Sequence, residues 1–531
     1  MEIMPENTAP EIQRNSGDTR YKWRILWAVV IGLFMVILDS TVINVALRAL
    51  QIHFSVTTDQ AQWVISLYTL VLGISTPLSG YLGDRFGTKR IYLSGLALFA
   101  FGSLLAGLSA SQGSLLFLIG ARAIQGLGGG IALPLGMAMM FRAFPPGQRG
   151  AAFGVFGIVM VFAPAIGPLV GGWLVDHNLI SWIFLVNLPI GVLGLIVGMR
   201  FLVAEKGSKN VRSDIPGMIF AAGGFGLILY AASIAGQQGM TWTSPEVLIL
   251  FGAGLAALAI FTIIELRSPA PLMDLRLYTI PSFTLANIAN AVGTISLFGA
   301  EFLLPLYLQI LRGETAFDAG LLLLPMAATA MIMSPISGRL ADKIGPRIPM
   351  VVGFLLIAFN TYQLAHIDLG TSLVFIMVIV AIRGIAVGLI IQNAQLASLL
   401  DVPLRRVNRA TPLINATRQT AQSIGVAVLA TVLTSAVTIA IPAAVANGSA
   451  PNLAALPPAV RAVAEQSYQT FQNQYITGLD HAYQVTFVVA SIVAVLCLFL
   501  PGWPGKYNSR ARQQAANAVP VLNSPEPVEA M

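Results

Sequence analysis

SGYLGDRFGTKR, residues 79–90, returns as SGRLADKIGPRI, residues 337–348. Ser, Gly, Leu, Asp, a base, Gly and a second base hold matching places in the two copies. Arg122 follows Asp84 by thirty-eight residues, and Arg383 follows Asp342 by forty-one, each within an apolar run. Two features recurring in one order mark an internal duplication, with units over 24–203 and 281–501.

Both copies of the motif lie between long apolar runs. The chain has 531 residues, is 56% hydrophobic and 10% charged, and has a mean hydropathy of +0.78. Runs long enough to cross ~30 Å of hydrocarbon argue for a polytopic membrane protein. They lack the alternation of barrel strands, so an all-α fold is expected. Candidate spans are 25–47, 62–82, 91–109, 115–140, 150–174, 181–203, 214–235, 246–266, 282–309, 317–339, 347–365, 371–398, 409–440 and 481–501, fourteen in all. Spans seven and eight, within a linker 204–280, are then an insertion between two six-helix halves. A tail 1–23 precedes the first half, an outer loop 441–480 interrupts the second, and a tail 502–531 follows it. Residues 1–23 hold no signal-peptide core, so the first span is expected to be retained. Within 441–480, Val460, Val463, Ala464, Tyr468, Phe471 and Tyr475 recur at helical spacing, which predicts a short amphipathic helix on the outer surface.

Charge tests the count. With both termini in the cytoplasm, twenty-four of the thirty Lys and Arg fall inside, three fall outside (Arg48, Arg312, Arg461), and Arg122, Arg383 and Arg418 lie within spans. That asymmetry obeys the positive-inside rule, so the net charge of +7 reads as topology and gives no support to nucleic-acid binding. The lone Cys497 excludes an internal disulfide, and the four histidines have no ligand spacing. GLGGG (126–130) lacks a following Lys-Ser/Thr and cannot be a P-loop; no HExxH motif or serine–histidine constellation points to an enzyme. An ion gradient is the remaining energy source.

The sequence resembles the major facilitator superfamily, and within it the fourteen-span drug:proton antiporters of the EmrB/QacA type. LDSTVINVAL (38–47), GYLGDRFGTKR (80–90), RAIQGLGGG (122–130), APAIGPLVGG (163–172) and WIFLVNLPIG (182–191) are similar to that family's motifs in spans one, two to three, four, five and six. The resemblance covers about 24–501 and implies proton-driven export of lipophilic, often cationic compounds from the cytoplasmic (inner) membrane, with no cofactor. Expected partners are the bilayer, protons and the transported molecule. A periplasmic adaptor protein is the one further partner to consider; without it the chain works as a monomer. Export of one endogenous metabolite, lipid or siderophore is the competing transport reading. A non-transporting sensor or scaffold is disfavoured by Asp39, Arg122 and Glu301.

Those three residues carry the proposed coupling. A carboxylate at the midplane costs roughly 2.5–3.5 kcal/mol on insertion scales, so Asp39 should face a cavity or a partner. Burial disfavours its charged form and a nearby cation favours it, so a balanced site exchanges H⁺ for cargo. Arg122 is a permanent cation, and the resemblance makes Asp39 its acceptor. The alternative is a fixed structural tie between the two. Glu301 opens the second half as Asp39 opens the first, with Pro305 four residues on. Asn44, Gln125, Asn287, Asn290, Gln392, Asn393 and Gln395 are candidates for the cavity wall. Arg418, placed near the cytoplasmic end of span thirteen, reads as a snorkelling anchor. Pro164, Gly167, Pro168, Gly171 and Gly172 predict a bent, closely packed fifth span that rocks. Gly80 and Gly87 are expected at turns. Asp84, amid Arg85, Lys89 and Arg90, is expected to latch the halves at a helix end or on a base across the seam, with Asp342, Lys343 and Arg347 repeating the device. Arg383 is the counterpart of Arg122.

Overall fold

The computed structural model describes residues 19–204, 207, 214–235, 240, 243–268, 271, 273–435 and 458–500. The side chains of Asn44 and Glu301 lie outside the described residues, as do the chain before Thr19 and after Leu500. All regular structure described is helical: α1 Thr19–Phe54, α2 Thr58–Phe86, α3 Thr88–Gln112, α4 Leu115–Ala143, α5 Arg149–Asp176, α6 Trp182–Leu185, α7 Asn187–Phe201, α8 Ile215–Ile234, α9 Pro245–Arg267, α10 Pro281–Leu306, α11 Ala316–Ile344, α12 Arg347–Ala365, α13 Leu373–Leu399, α14 Val407–Ser435 and α15 Pro458–Leu498. Short 3₁₀ turns occupy Leu275–Thr279 and Leu404–Arg406, and a π turn, Tyr307–Leu311, follows α10.

Local chemistry sets the ends. Thr57 and Gln60 form a capping box at the start of α2, and the hydroxyls of Ser114 and Thr315 cap α4 and α11. The second glycine of the repeated motif ends a helix in both copies: Gly87 after α2 with φ 95° and Gly345 after α11 with φ 85°. A side chain there would be strained, which explains the shared residue. Gly80, expected at a turn, instead lies inside α2 where that helix meets Asn408 and Pro412 of α14.

Over its described residues each expected span falls mainly on helix, and among the described residues eleven helices are long and apolar enough to cross a membrane. The other three are α8, α10 and α14; α8 has only a shorter apolar stretch, Ile215–Ala231. The sixth is broken into α6 and α7. Pro189 supplies no N–H to the Leu185 carbonyl, and the Ser103 hydroxyl takes the carbonyl of Phe184, 2.7 Å away. The surface helix expected within 441–480 is corrected. Its described part is the first half of α15, continuous with the last span, and Phe471, Tyr475 and Leu479 are buried in a core with Leu303, Tyr307 and Leu433. Phe471 and Tyr475 of its apolar stripe are covered by protein.

Large apolar side chains such as Leu193, Ile196, Ile249, Ile263 and Val374 face outward, while Asp39, Arg122, Gln125 and Arg383 are buried. That inversion suits a chain surrounded by lipid. α1, α2, α3, α4, α5 and α7 pack together, as do α10, α11, α12, α13, α14 and α15. The two groups meet along α5–α11 and α2–α14. α8 and α9 pair with each other, and α8 lies against both α2 and α14, with Trp63 beside Tyr230 at 5.9 Å between ring centroids.

Candidate functional site

Asp39 is enclosed by protein, with 2% of its surface exposed. Arg122 Nη1 donates to Asp39 Oδ2 at 2.5 Å. Asn187 Nδ2 and Gln125 Nε2 donate to Oδ1 at 2.7 and 3.3 Å. Arg122 also donates to the Gln125 Oε1 at 2.9 Å and through Nε to the Val64 carbonyl at 3.2 Å, and it lies 4.0 Å above the Tyr68 ring. Gln125 passes the network on to Ser103 at 3.0 Å. Helix geometry explains the cluster: Arg122 and Gln125, three apart, share one face of α4. The carboxylate uses only acceptor lone pairs. Three N–H groups converge on it, two on Oδ1 and one on Oδ2.

The expected neighbours of that site come together in part. Gln125 joins Asp39 and Arg122, whereas the side chain of Asn44 is outside the described residues. Asn187 was legible only as a letter inside the sixth-span motif; its function-bearing position, at the first residue of α7, comes from the helix break. α5 runs unbroken through Pro164 and Pro168. A Cβ on Gly167 would meet Thr41, and one on Gly171 would lie 2.7 Å from the Val42 carbonyl, so α5 rides on α1 just beyond Asp39. Gly172 faces open space and takes no part in this contact.

In the second group, Arg383 Nη1 donates to Asn360 Oδ1 at 3.1 Å and Nη2 to the Leu297 carbonyl at 2.8 Å, one helical turn before Glu301. Asn393 donates to Ser337 and to the Leu389 carbonyl, both at 2.7 Å. Asn287 donates to the Tyr278 hydroxyl at 2.7 Å, and burial pushes that phenol up from its ordinary pKa. Both ends of the Gln392 and Gln395 amides, and Asn290 Nδ2, are buried and unpartnered among the described residues. Arg418 corrects its expectation. It lies inside the bundle, its Nε sealed and unpartnered, on the wall of a void shared with Asn290, Thr294, Leu297 and Ile391. A snorkelling anchor would have placed its guanidinium at the membrane surface.

The end of the bundle bearing the repeated motif is clasped twice. Asp84 accepts from Asn408 Nδ2 at 2.8 Å and from Arg409 Nε at 3.2 Å, joining α2 to the first turn of α14. Asp342 accepts from the amides of Gly150 and Ala151, each at 2.8 Å, joining α11 to the first turn of α5. The first clasp uses a base across the seam and the second a positive helix end, the two devices the motif suggested. The motif's own bases act elsewhere. Arg85 donates to Tyr81 and lies over the Phe86 ring at 5.5 Å, Lys89 holds the carbonyls of Met199 and Leu202 at 2.9 and 2.5 Å, and Arg90 is exposed. Beside the second clasp, a Cβ on Gly154 would lie 2.8 Å from the Ser334 carbonyl, and Gly150 and Gly338 meet backbone to backbone. Neither Asn408 nor Arg409 stands out in LRRVNRA (404–410), whose bases also suit the positive-inside rule.

The profile of the Major Facilitator Superfamily matches residues 29–426. The lincomycin resistance protein LmrB of Listeria innocua serovar 6a is 33% identical over 408 residues, 77% of this chain and 85% of that protein. The multidrug resistance protein B homolog of Mycobacterium tuberculosis (strain ATCC 25618 / H37Rv) is 30% identical over 491 residues, 89% and 88% of the two chains. Among solved structures, the human organic anion transporter MFSD10 (TETRAN) superposes with a TM-score of 0.61 at 13% identity, covering 90% of this chain and 99% of that one, which bears on the fold alone.

Proposed function

The chain belongs to the major facilitator superfamily, and from that premise we propose that it exports lipophilic small molecules in exchange for protons by alternating access. Family membership makes it a membrane transporter rather than an enzyme. The observation that carries proton exchange is the sealed Asp39–Arg122–Asn187 cluster, in which each carboxylate oxygen already accepts from a donor. A proton on Asp39 cancels the charge that holds Arg122, and α5 rests on the adjoining turn of α1 through Gly167 and Gly171. Occupancy of Asp39 is thus coupled to the packing of the helix that also reaches α11. Export is favoured over uptake by the fifth-span motif and by the resistance proteins among the relatives.

In this reading all fourteen segments cross the inner membrane, two six-helix halves are joined by α8 and α9, and both termini are cytoplasmic, as the basic residues suggest. The clasps of Asp84 and Asp342 then close the cytoplasmic gate. No cofactor is needed: a membrane potential contributes about 2.3 kcal/mol per charge per 100 mV. The chain acts as a monomer, with an adaptor protein an optional partner. Glu301 and Arg383 form the second half's counterpart of Asp39 and Arg122.

Inside-out vesicles energised to an acidic interior test this. Adding rhodamine 6G should release part of the proton gradient in proportion to dye uptake. Asp39→Asn should abolish that release while the protein still inserts. Dye movement without proton movement in the parent protein would remove the antiport reading.

A further inference from the structure

Arg418 is half-buried on the wall of a void inside the bundle, with its Nε sealed and unpartnered among the described residues. Its guanidinium offers five N–H donors, no acceptor, and a charge it cannot shed. Such a group inside a membrane protein is costly unless an acceptor meets it, and functional sites are where the cost is retained. The other intramembrane arginines have acceptors: Arg122 holds Asp39, and Arg383 holds Asn360 and Leu297.

Nor does Glu301 sit level with Arg418. The Cβ position of Gly425 on α14 lies 2.8 Å from the Ile295 Cα on α10, which fixes the relative height of the two helices. At 1.5 Å per residue, Arg418 lies about 10 Å to one side of that level and the Glu301 backbone about 9 Å to the other. The void beside Arg418 has room for about one water in this conformation. Its wall adds the unpartnered Asn290 Nδ2, a second donor, to apolar Leu297, Ile390 and Ile391. Donors on one side and aliphatic carbon on the other describe a subsite for an amphiphile with an acceptor head.

We infer that Arg418, with Asn290, is the recognition site for an anionic oxygen on the transported molecule, a carboxylate or an equivalent acid, carried on an apolar body. This rests on the transport reading and narrows its substrate class. The resemblance alone implied compounds that are often cationic; a guanidinium with no carboxylate beside it among the described residues calls for cargo of the opposite sign, or a zwitterion. Asp39, sealed with Arg122, is not at hand to supply the countercharge.

The test uses the full chain in lipid nanodiscs and two dyes that differ in one group: rhodamine B, which has a free carboxylate, and its ethyl ester, which does not. Binding is followed by fluorescence polarisation. The parent protein should prefer the acid by about tenfold or more, as a charge-assisted hydrogen bond allows. Arg418→Gln should abolish that preference and leave ester binding within about threefold, which also reports that the variant is folded. Arg418→Lys, keeping the charge without the fork, should restore part of it. Asn290→Ala should weaken the acid less than Arg418→Gln does. The inference is overturned by preference for the ester in the parent protein, by no saturable binding of rhodamine B, by equal loss of both dyes in Arg418→Gln, or by an acid preference that survives it. Because binding is read without a gradient, these results stand apart from proton coupling, which the Asp39→Asn vesicle experiment decides.

Discussion

Asp342→Asn should loosen the clasp between α11 and α5 by a calculable amount. Asp342 accepts from the Gly150 and Ala151 amides through separate oxygens, each at 2.8 Å. Asparagine keeps one acceptor and turns an NH₂ toward the other N–H. One charge-assisted bond, about 1.5–3 kcal/mol, is lost, together with about 0.3–1 kcal/mol from a negative charge at the start of α5. Part of this is recovered when water reaches the freed amide on opening. A net change of about 2 kcal/mol raises the open-to-closed ratio at that end roughly 30-fold. Spin labels at Arg90→Cys and Arg339→Cys, both exposed and on opposite sides of the seam, would report the change as growth of a longer-distance population by double electron–electron resonance in nanodiscs. The buried native Cys497 should stay unlabelled. A ratio altered less than about threefold would refute the view that these two bonds hold α11 to α5.

Two further outcomes follow from the packing. Gly338→Val should hold the clasped ends of α5 and α11 apart, because its Cβ would collide with the Gly150 carbonyl and come within 2.9 Å of the Gly154 Cα, backbone atoms that cannot yield; the same spin-label pair should lengthen, and dye transport should stop while insertion persists. Asn187→Ala removes the 2.7 Å donor to Asp39 and should cost about 1–3 kcal/mol, read as a lower unfolding midpoint in detergent.

The helical architecture was legible because lipid demands long apolar runs, and the repeat was legible because a positive-φ glycine and a carboxylate at a helix end tolerate few substitutes. The Asp39–Arg122 pair was reachable through the resemblance, which makes Asp39 the acceptor of Arg122. Distances between helices were not legible, and that is where the reading fell short. Asn187 became a donor to Asp39 only through the break between α6 and α7. Arg418 read as an anchor because sequence position along a helix says nothing of which way the side chain turns. The stripe of Phe471 and Tyr475 has the period of a surface helix; whether lipid or protein covers it depends on α10 and α12, far away in the chain.

Pro412 stands between the two tasks of α14. It supplies no N–H to the Asn408 carbonyl, so the opening turn, whose Asn408 and Arg409 grip Asp84, joins the stretch bearing Arg418 through a weakened rung of the ladder. A helix softened there need not swing as a whole to unfasten. Its first turn can peel from α2 while the remainder stays seated on α10, so the clasp and the void at Arg418 share one helix without being forced to move in step.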